Sequence, residues 1–186
     1  MKKFAFVAML ALSAAATPVL ANSHMEKTVM VGGAAMYPSK NIIENAVNSK
    51  AHTTLVAAVK AAGLVETLQG KGPFTVFAPV NDAFENLPAG TVEGLLKPES
   101  KATLTKVLTY HVVAGSYDFK AISAMLKKGV KTLKTVSGGT LTFMMSGPRN
   151  ISVKDENGNV ANISTYDVYQ SNGVIHSIDA VLLPKM

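Results

Sequence analysis

The sequence predicts an α+β fold, helices first and antiparallel hairpins later. Three observations carry that reading. Up to about residue 127 the apolar residues recur at helical spacing, as in Ile42, Ile43, Ala46 and Val47. From Lys131 onward they alternate, and turn signatures recur at Ser137-Gly138-Gly139, Asn157-Gly158 and Ser171-Asn172-Gly173. A single early strand, opening at Phe74, interrupts the helical part. Strands do not alternate with helices, which excludes a repeated βαβ wind.

The first 21 residues stand apart from the fold. Lys2 and Lys3 precede an apolar run from Phe4 to Ala16, and Val19-Leu20-Ala21 offers a small-residue cleavage site. This is the layout of a secretory leader cleaved after Ala21, and it implies a periplasmic or secreted protein. Residues 22–37 are read as a flexible lead-in, rich in methionine and carrying Gly32-Gly33. Residues 38–186 then form one domain.

Within that domain, Ser39 is placed to cap a first helix. Thr53 caps a second, whose Leu55, Val56, Ala58, Val59 and Ala62 run to a stop at Gly63. Leu64 to Leu68 extends the helical surface. In the strand that follows, Phe74, Val76 and Ala78 share one face and Thr75 and Phe77 the other. Pro79 has no N–H to donate and ends it. Asn81 or Asp82 can cap the helix that carries Ala83, Phe84 and Leu87. Thr91–Leu96 is a brief helix, and Pro98 opens a longer one that delivers Tyr110 and His111 to a strand ending at Val113. Asp118 caps the last helix, through Lys127, before Gly129. Strands follow at 131–136, 140–144, 151–154, 160–163, 168–170 and 174–183. The last is apolar on both faces near its end, which places it centrally in the sheet.

Three stretches resemble the signatures of the fasciclin domain family, in the family's order. They are Phe74-Thr75-Val76-Phe77-Ala78-Pro79-Val80-Asn81-Asp82-Ala83-Phe84, Leu108-Thr109-Tyr110-His111-Val112-Val113, and Asn172-Gly173-Val174-Ile175-His176-Ser177-Ile178-Asp179-Ala180-Val181-Leu182-Leu183-Pro184. Val80 stands where members usually carry Thr or Ser, which transfers the capping duty to Asn81 or Asp82. The resemblance implies a β-wedge or sandwich with helices packed against it. It also implies a non-enzymatic module for cell adhesion or for contact with a protein or cell-surface partner, with Tyr110 and His111 at the family's adhesion motif. Phe74, Phe77, Pro79, Asn81, Asp82, Phe84, Asn172, Gly173, His176 and Asp179 are then structural signature residues. The alternative that the resemblance raises is a carrier of an apolar ligand such as a carotenoid or lipid, with Phe143, Met144 and Met145 as candidate lining.

Composition narrows the functions further. There are no cysteines, so an exported chain must hold by packing alone, with no disulfide and no lipidated cysteine. The net charge of +6 comes almost entirely from lysine; Arg149 is the one arginine. Lysines Lys127, Lys128, Lys131 and Lys134 cluster without interleaved aromatics, which reads as a solvated surface and not a nucleic-acid site. No second apolar run reaches spanning length, so the mature chain is expected to have no membrane span and to be a monomer. There is no Gly-x-Ser-x-Gly turn, and His111, His176 and Asp179 lack a recognisable catalytic or metal-ligand spacing. No cofactor is implied.

Overall fold

The computed structural model describes residues 27–185. The leader expected at Met1–Ala21 and the start of the lead-in lie outside the described residues. From Val29 onward the lead-in departs from expectation. Strands β1 (Val29–Val31) and β2 (Ala34–Met36) pair as a hairpin around Gly32 and Gly33, both at positive φ. Two such residues suit a tight turn between right-twisted strands. Val31 and Met36 are buried on the domain, so the hairpin belongs to it.

Helices α1 (Ile42–Ala46), α2 (Thr53–Ala62) and α3 (Val65–Gln69) follow. Asn41, not Ser39, caps α1: its side chain accepts from Ile43 and Glu44 while Glu44 reaches back to the Asn41 N–H. Thr53 is the first residue of α2 rather than its cap, because a 3₁₀ turn over Lys50–His52 leads into it. Then come β3 (Phe74–Pro79), α4 (Asn81–Glu85), α5 (Thr91–Leu96), α6 (Lys101–Tyr110), β4 (Val112–Ala114) and α7 (Phe119–Lys127). The last third is β5 (Thr132–Lys134), β6 (Thr140–Met145), β7 (Ile151–Lys154), β8 (Val160–Gln170) and β9 (Gly173–Ile178).

Seven strands form one sheet in the order β4-β3-β9-β8-β7-β6-β5. Only β3 and β9 run parallel; the other neighbours are antiparallel. The outer strands approach each other, with the Val136 N–H donating to the Val112 carbonyl, so the sheet nearly closes. β3 therefore lies inside the sheet, not at its edge. β8 is one long strand where two short ones were expected; Asp167, at φ 57°, and two register shifts against β9 absorb the irregularity. β9 stops at Ile178, and residues 179–185 continue as an extended tail.

The sheet divides the interior in two, as the alternation in β3 requires. Val76 and Ala78 face α1, α2, α3 and α6 in a helix-side core that also holds Leu55, Val59 and Leu104. Phe77 faces the inside of the curled sheet with Tyr110, Leu141, Phe143, Val153, Ile178 and Ile122 of α7.

Candidate functional site

Tyr110 and His111 sit where α6 hands over to β4, and both point inward. The Tyr110 hydroxyl donates to the Thr140 carbonyl (2.8 Å) and accepts from the Glu156 N–H (3.1 Å). One phenol thus ties the β5–β6 turn to the β7–β8 turn. Burial pushes its pKa up to about 12. Gly139 makes room for the ring: a Cβ there would lie 2.6 Å from Tyr110 Cε2. His111 Nδ1–H donates to the Val107 carbonyl (2.8 Å), and Nε2 accepts from the Leu182 N–H (3.0 Å). Each nitrogen of a neutral imidazole is thereby used once. Burial holds this ring near pKa 4. The expectation that this pair contacts a partner meets a plain obstacle: Tyr110 is 0% and His111 2% exposed.

His176, on β9, is equally committed. Its Nε2–H donates to the Tyr117 carbonyl (2.8 Å), its Nδ1 accepts from the Asp167 N–H (3.3 Å), and its ring stacks on Phe77 at 5.6 Å. Burial lowers its pKa as well. Asp179 lies past the end of β9 and accepts from both the N–H and the side-chain amide of Asn162 (2.7 and 2.9 Å). His111, His176 and Asp179 are each bonded elsewhere, so neither ring has a nitrogen free to act as a base on a nucleophile. Among the described residues no group of three His, Asp or Glu side chains converges as a metal cage.

The remaining signature residues also hold the chain together. Asn81 does not cap its own helix, whose N-cap position is taken by Val80 with no side-chain bond. It reaches instead to α2: its Oδ1 accepts from the Thr54 N–H (3.1 Å) and the Thr53 hydroxyl (3.2 Å), and its Nδ2 donates to the Lys50 carbonyl (2.8 Å). Asp82 is exposed, while Phe84 packs in the helix-side core. Asn172 accepts from the Ile42 N–H and donates to the Leu68 and Gly70 carbonyls, joining α1 to the end of α3. Gly173 sits against β3 so closely that a Cβ would lie 2.1 Å from the Phe74 carbonyl oxygen. Phe74 is half-buried at the start of β3, and Pro79 is buried at its end.

Two further residues escaped the sequence reading. The Asp155 carboxylate accepts four hydrogen bonds, from the N–H groups of Asn157, Asn159 and Leu183 and from the Asn159 amide (2.8–3.0 Å). It locks the β7–β8 turn to the C-terminal tail. Asp167 accepts from the Phe119 N–H at the start of α7 (2.7 Å). Only a tertiary contact reveals either role.

Candidate ligand space is limited. A cavity of about 70 Å³ lies in the helix-side core, lined almost wholly by apolar atoms. Pockets for drug-sized ligands run to roughly 300–1,000 Å³, so a carotenoid has no room there. Phe143, a candidate groove residue, is fully buried inside the sheet; Met144 and Met145 are exposed at the end of β6. A larger open hollow of about 630 Å³ beside Lys71, Tyr169 and Asn172 is mainly polar.

The geometry defines a scaffold class: its distinctive polar residues pin its own turns, helix ends and tail. The fasciclin domain profile matches residues 50–184, and the chain belongs to that family. It is 47% identical over 172 residues to Protein sll1483 of Synechocystis sp., covering 91% of this chain and 89% of that one. It is 35% identical over 159 residues to cell surface glycolipoprotein MPB83 of Mycobacterium bovis, covering 83% of this chain and 64% of the relative. The fold matches a FAS1 domain pair from the insect cell adhesion molecule fasciclin I at a TM-score of 0.69 and 16% identity, over 86% of this chain and 58% of the other.

Proposed function

We propose that this protein is a non-enzymatic interaction module that works outside the cytoplasm, exported by its N-terminal leader and attaching to a protein or cell-surface partner. One observation carries the reading. His111, His176 and Asp179, the groups of the signature stretches that could do chemistry, are consumed in intramolecular hydrogen bonds, which favours the outer surface as the part free to act. The family supports it: relatives include a mycobacterial cell surface glycolipoprotein, and the fold is shared with an insect cell adhesion molecule. No helix among the described residues is long and apolar enough to cross a membrane.

Burial moves the contact away from Tyr110 and His111. The surface to test first is the end of β6, where Met144 and Met145 are exposed near the 146–150 turn that carries Arg149. Methionine and arginine are enriched at protein contacts. The test is attachment of cells of the native host, with and without the gene, complemented by wild type, by the Met144→Glu/Met145→Glu double variant, or by Arg149→Glu. Reduced attachment on deletion, restored by wild type and not by the double variant, is the expected result. Unchanged attachment on deletion would refute the adhesion reading.

A further inference from the structure

The cavity in the helix-side core has one polar corner, and that corner is incomplete. Its walls come from the β1–β2 hairpin, α1, α2, α3 and β3, with Val31, Met36, Ile43, Leu55, Val59 and Val76 among them. Lys60, Thr67, Thr109 and His111 also border it, and Ser49 and His52, both buried, meet at one corner. The Ser49 hydroxyl and His52 Nδ1 are hydrogen-bonded at 2.9 Å. The other ring nitrogen, Nε2, is buried and has no hydrogen-bond partner. Burial pushes the ring's pKa down, against a smaller opposing pull from the Ala78 backbone. The ring is therefore neutral, with one hydrogen-bonding position unused.

A buried polar atom left without a partner costs free energy that a bound molecule can recover. An apolar cavity with a single polar anchor suits one kind of guest. We infer that this cavity is a binding site for a small neutral molecule with an apolar body and one hydroxyl or carbonyl group, which meets His52 Nε2. Size sets the limit. An apolar cavity of about 150 Å³ holds benzene, so 70 Å³ takes a guest of about three or four heavy atoms. Water is a poorer occupant, because it needs two to four polar partners and these walls supply almost none beyond Nε2.

The roof of this site belongs to the N-terminal part of the chain. Val31, Met36, Ile42, Ile43, Ala46 and Ser49 all precede residue 50, where the family match begins. Gly32 lets the hairpin settle there, since a Cβ on it would lie 2.4 Å from Ser49 Oγ and 2.5 Å from the Ala51 nitrogen. The same hairpin that was expected to be a loose lead-in thus closes the cavity over Ser49 and His52.

The experiment uses the chain without its leader and follows methyl and imidazole resonances by NMR as 1-propanol, and separately xenon, is added. Propanol is expected to give saturable shifts confined to cavity methyls such as Val31, Ile43 and Leu55, and to His52. His52→Leu should weaken propanol about tenfold, as loss of one buried hydrogen bond implies, while leaving xenon binding intact. Ala46→Leu, which grows into the cavity, should abolish both and keep the protein folded. It also serves if His52→Leu does not fold. Linear, surface-wide propanol shifts would overturn the inference, as would saturable shifts that survive Ala46→Leu. So would a long-lived water at His52 Nε2 that propanol does not displace, since the corner would then be a structural water site.

Discussion

The two cores of this domain lie on opposite faces of one sheet and are built differently. Inside the curled sheet, Phe77 and Phe143 meet at 5.5 Å, and they, Tyr110, Leu141, Val153 and Ile178 are all at 0% exposure. The polar groups of Tyr110 and His176 that enter this core have backbone partners. On the helix side, shorter elements meet, a cavity of about 70 Å³ remains, and His52 Nε2 is unpartnered. Two hydroxyls are also buried without a partner: Ser177 Oγ, which alternates onto the same side as Ile175, and Ser123 Oγ on α7, whose Ile122 packs in the sheet-side core. Strands that share hydrogen bonds fix their spacing, so side chains between them interdigitate. Helices of five residues, such as α1 and α3, have few contacts with which to close a gap. Rigidity should therefore reside in the sheet-side core, and adaptability in the helix-side one.

That contrast can be broken most forcefully at Phe143. Phe143→Ala is expected to destabilise the fold by about 3–5 kcal/mol, because the surrounding strands cannot relax into the void. Urea unfolding measures it, and a loss near 1 kcal/mol would mean that the sheet-side core is loose after all. The next effect is pH-dependent. An unfolded histidine titrates near 6.5, whereas folded His111 titrates at about 4 and His176 is also lowered. The folded value is the lower one, so the neutral rings' contribution is complete above pH 6.5 and drains away as pH falls below it, for His111 down to about 4. For His111 the full shift corresponds to about 3 kcal/mol. His111→Gln keeps one donor and one acceptor without the titration, and should flatten that part of the slope in unfolding curves taken between pH 7 and 4.5.

Smaller effects test the polar pins. Tyr110→Phe keeps the ring in place but strands the Thr140 carbonyl and the Glu156 N–H, at a cost of about 1–3 kcal/mol. Hydrogen exchange should then quicken at the β5–β6 and β7–β8 turns together. Asn81→Ala should cost about 1 kcal/mol, the usual penalty for a lost helix cap. Its fingerprint is faster exchange at the Thr54 amide of α2, with α4 little changed. Fraying of α4 instead would return Asn81 to its own helix.

The parts of this fold legible in the sequence are those fixed by local chemistry. Alternation in Phe74–Ala78, the stop at Pro79, Asp118 capping α7 and the turn at Asn157-Gly158 all depend on near neighbours. The parts that were not legible depend on distant ones. Asn81 reads as a cap for its own helix, but it holds the start of a helix 28 residues upstream instead, and no spacing rule points there. β8 was split because Ser164-Thr165-Tyr166-Asp167 reads as a break, and only pairing with β9 carries the strand through. β1 and β2 are three residues each, too short for a period to show. The burial of Tyr110 and His111 was hidden for a similar reason: a Tyr and a His at a helix end look the same whether their partners are solvent or the Thr140 and Val107 carbonyls.

The most direct test of two unequal cores is the same enlargement made in each. Ala78 and Ala161 are both buried strand alanines, but Ala78 lines the cavity and Ala161 packs among the sheet-side residues. Each is changed to valine and the free energy of unfolding is measured under identical conditions. The inequality of the cores implies that Ala161→Val destabilises by about 1–3 kcal/mol through overpacking, while Ala78→Val is neutral or stabilises by up to about 1 kcal/mol by filling space. Equal losses at both positions would contradict it, because the helix-side core would then be as tightly filled as the other.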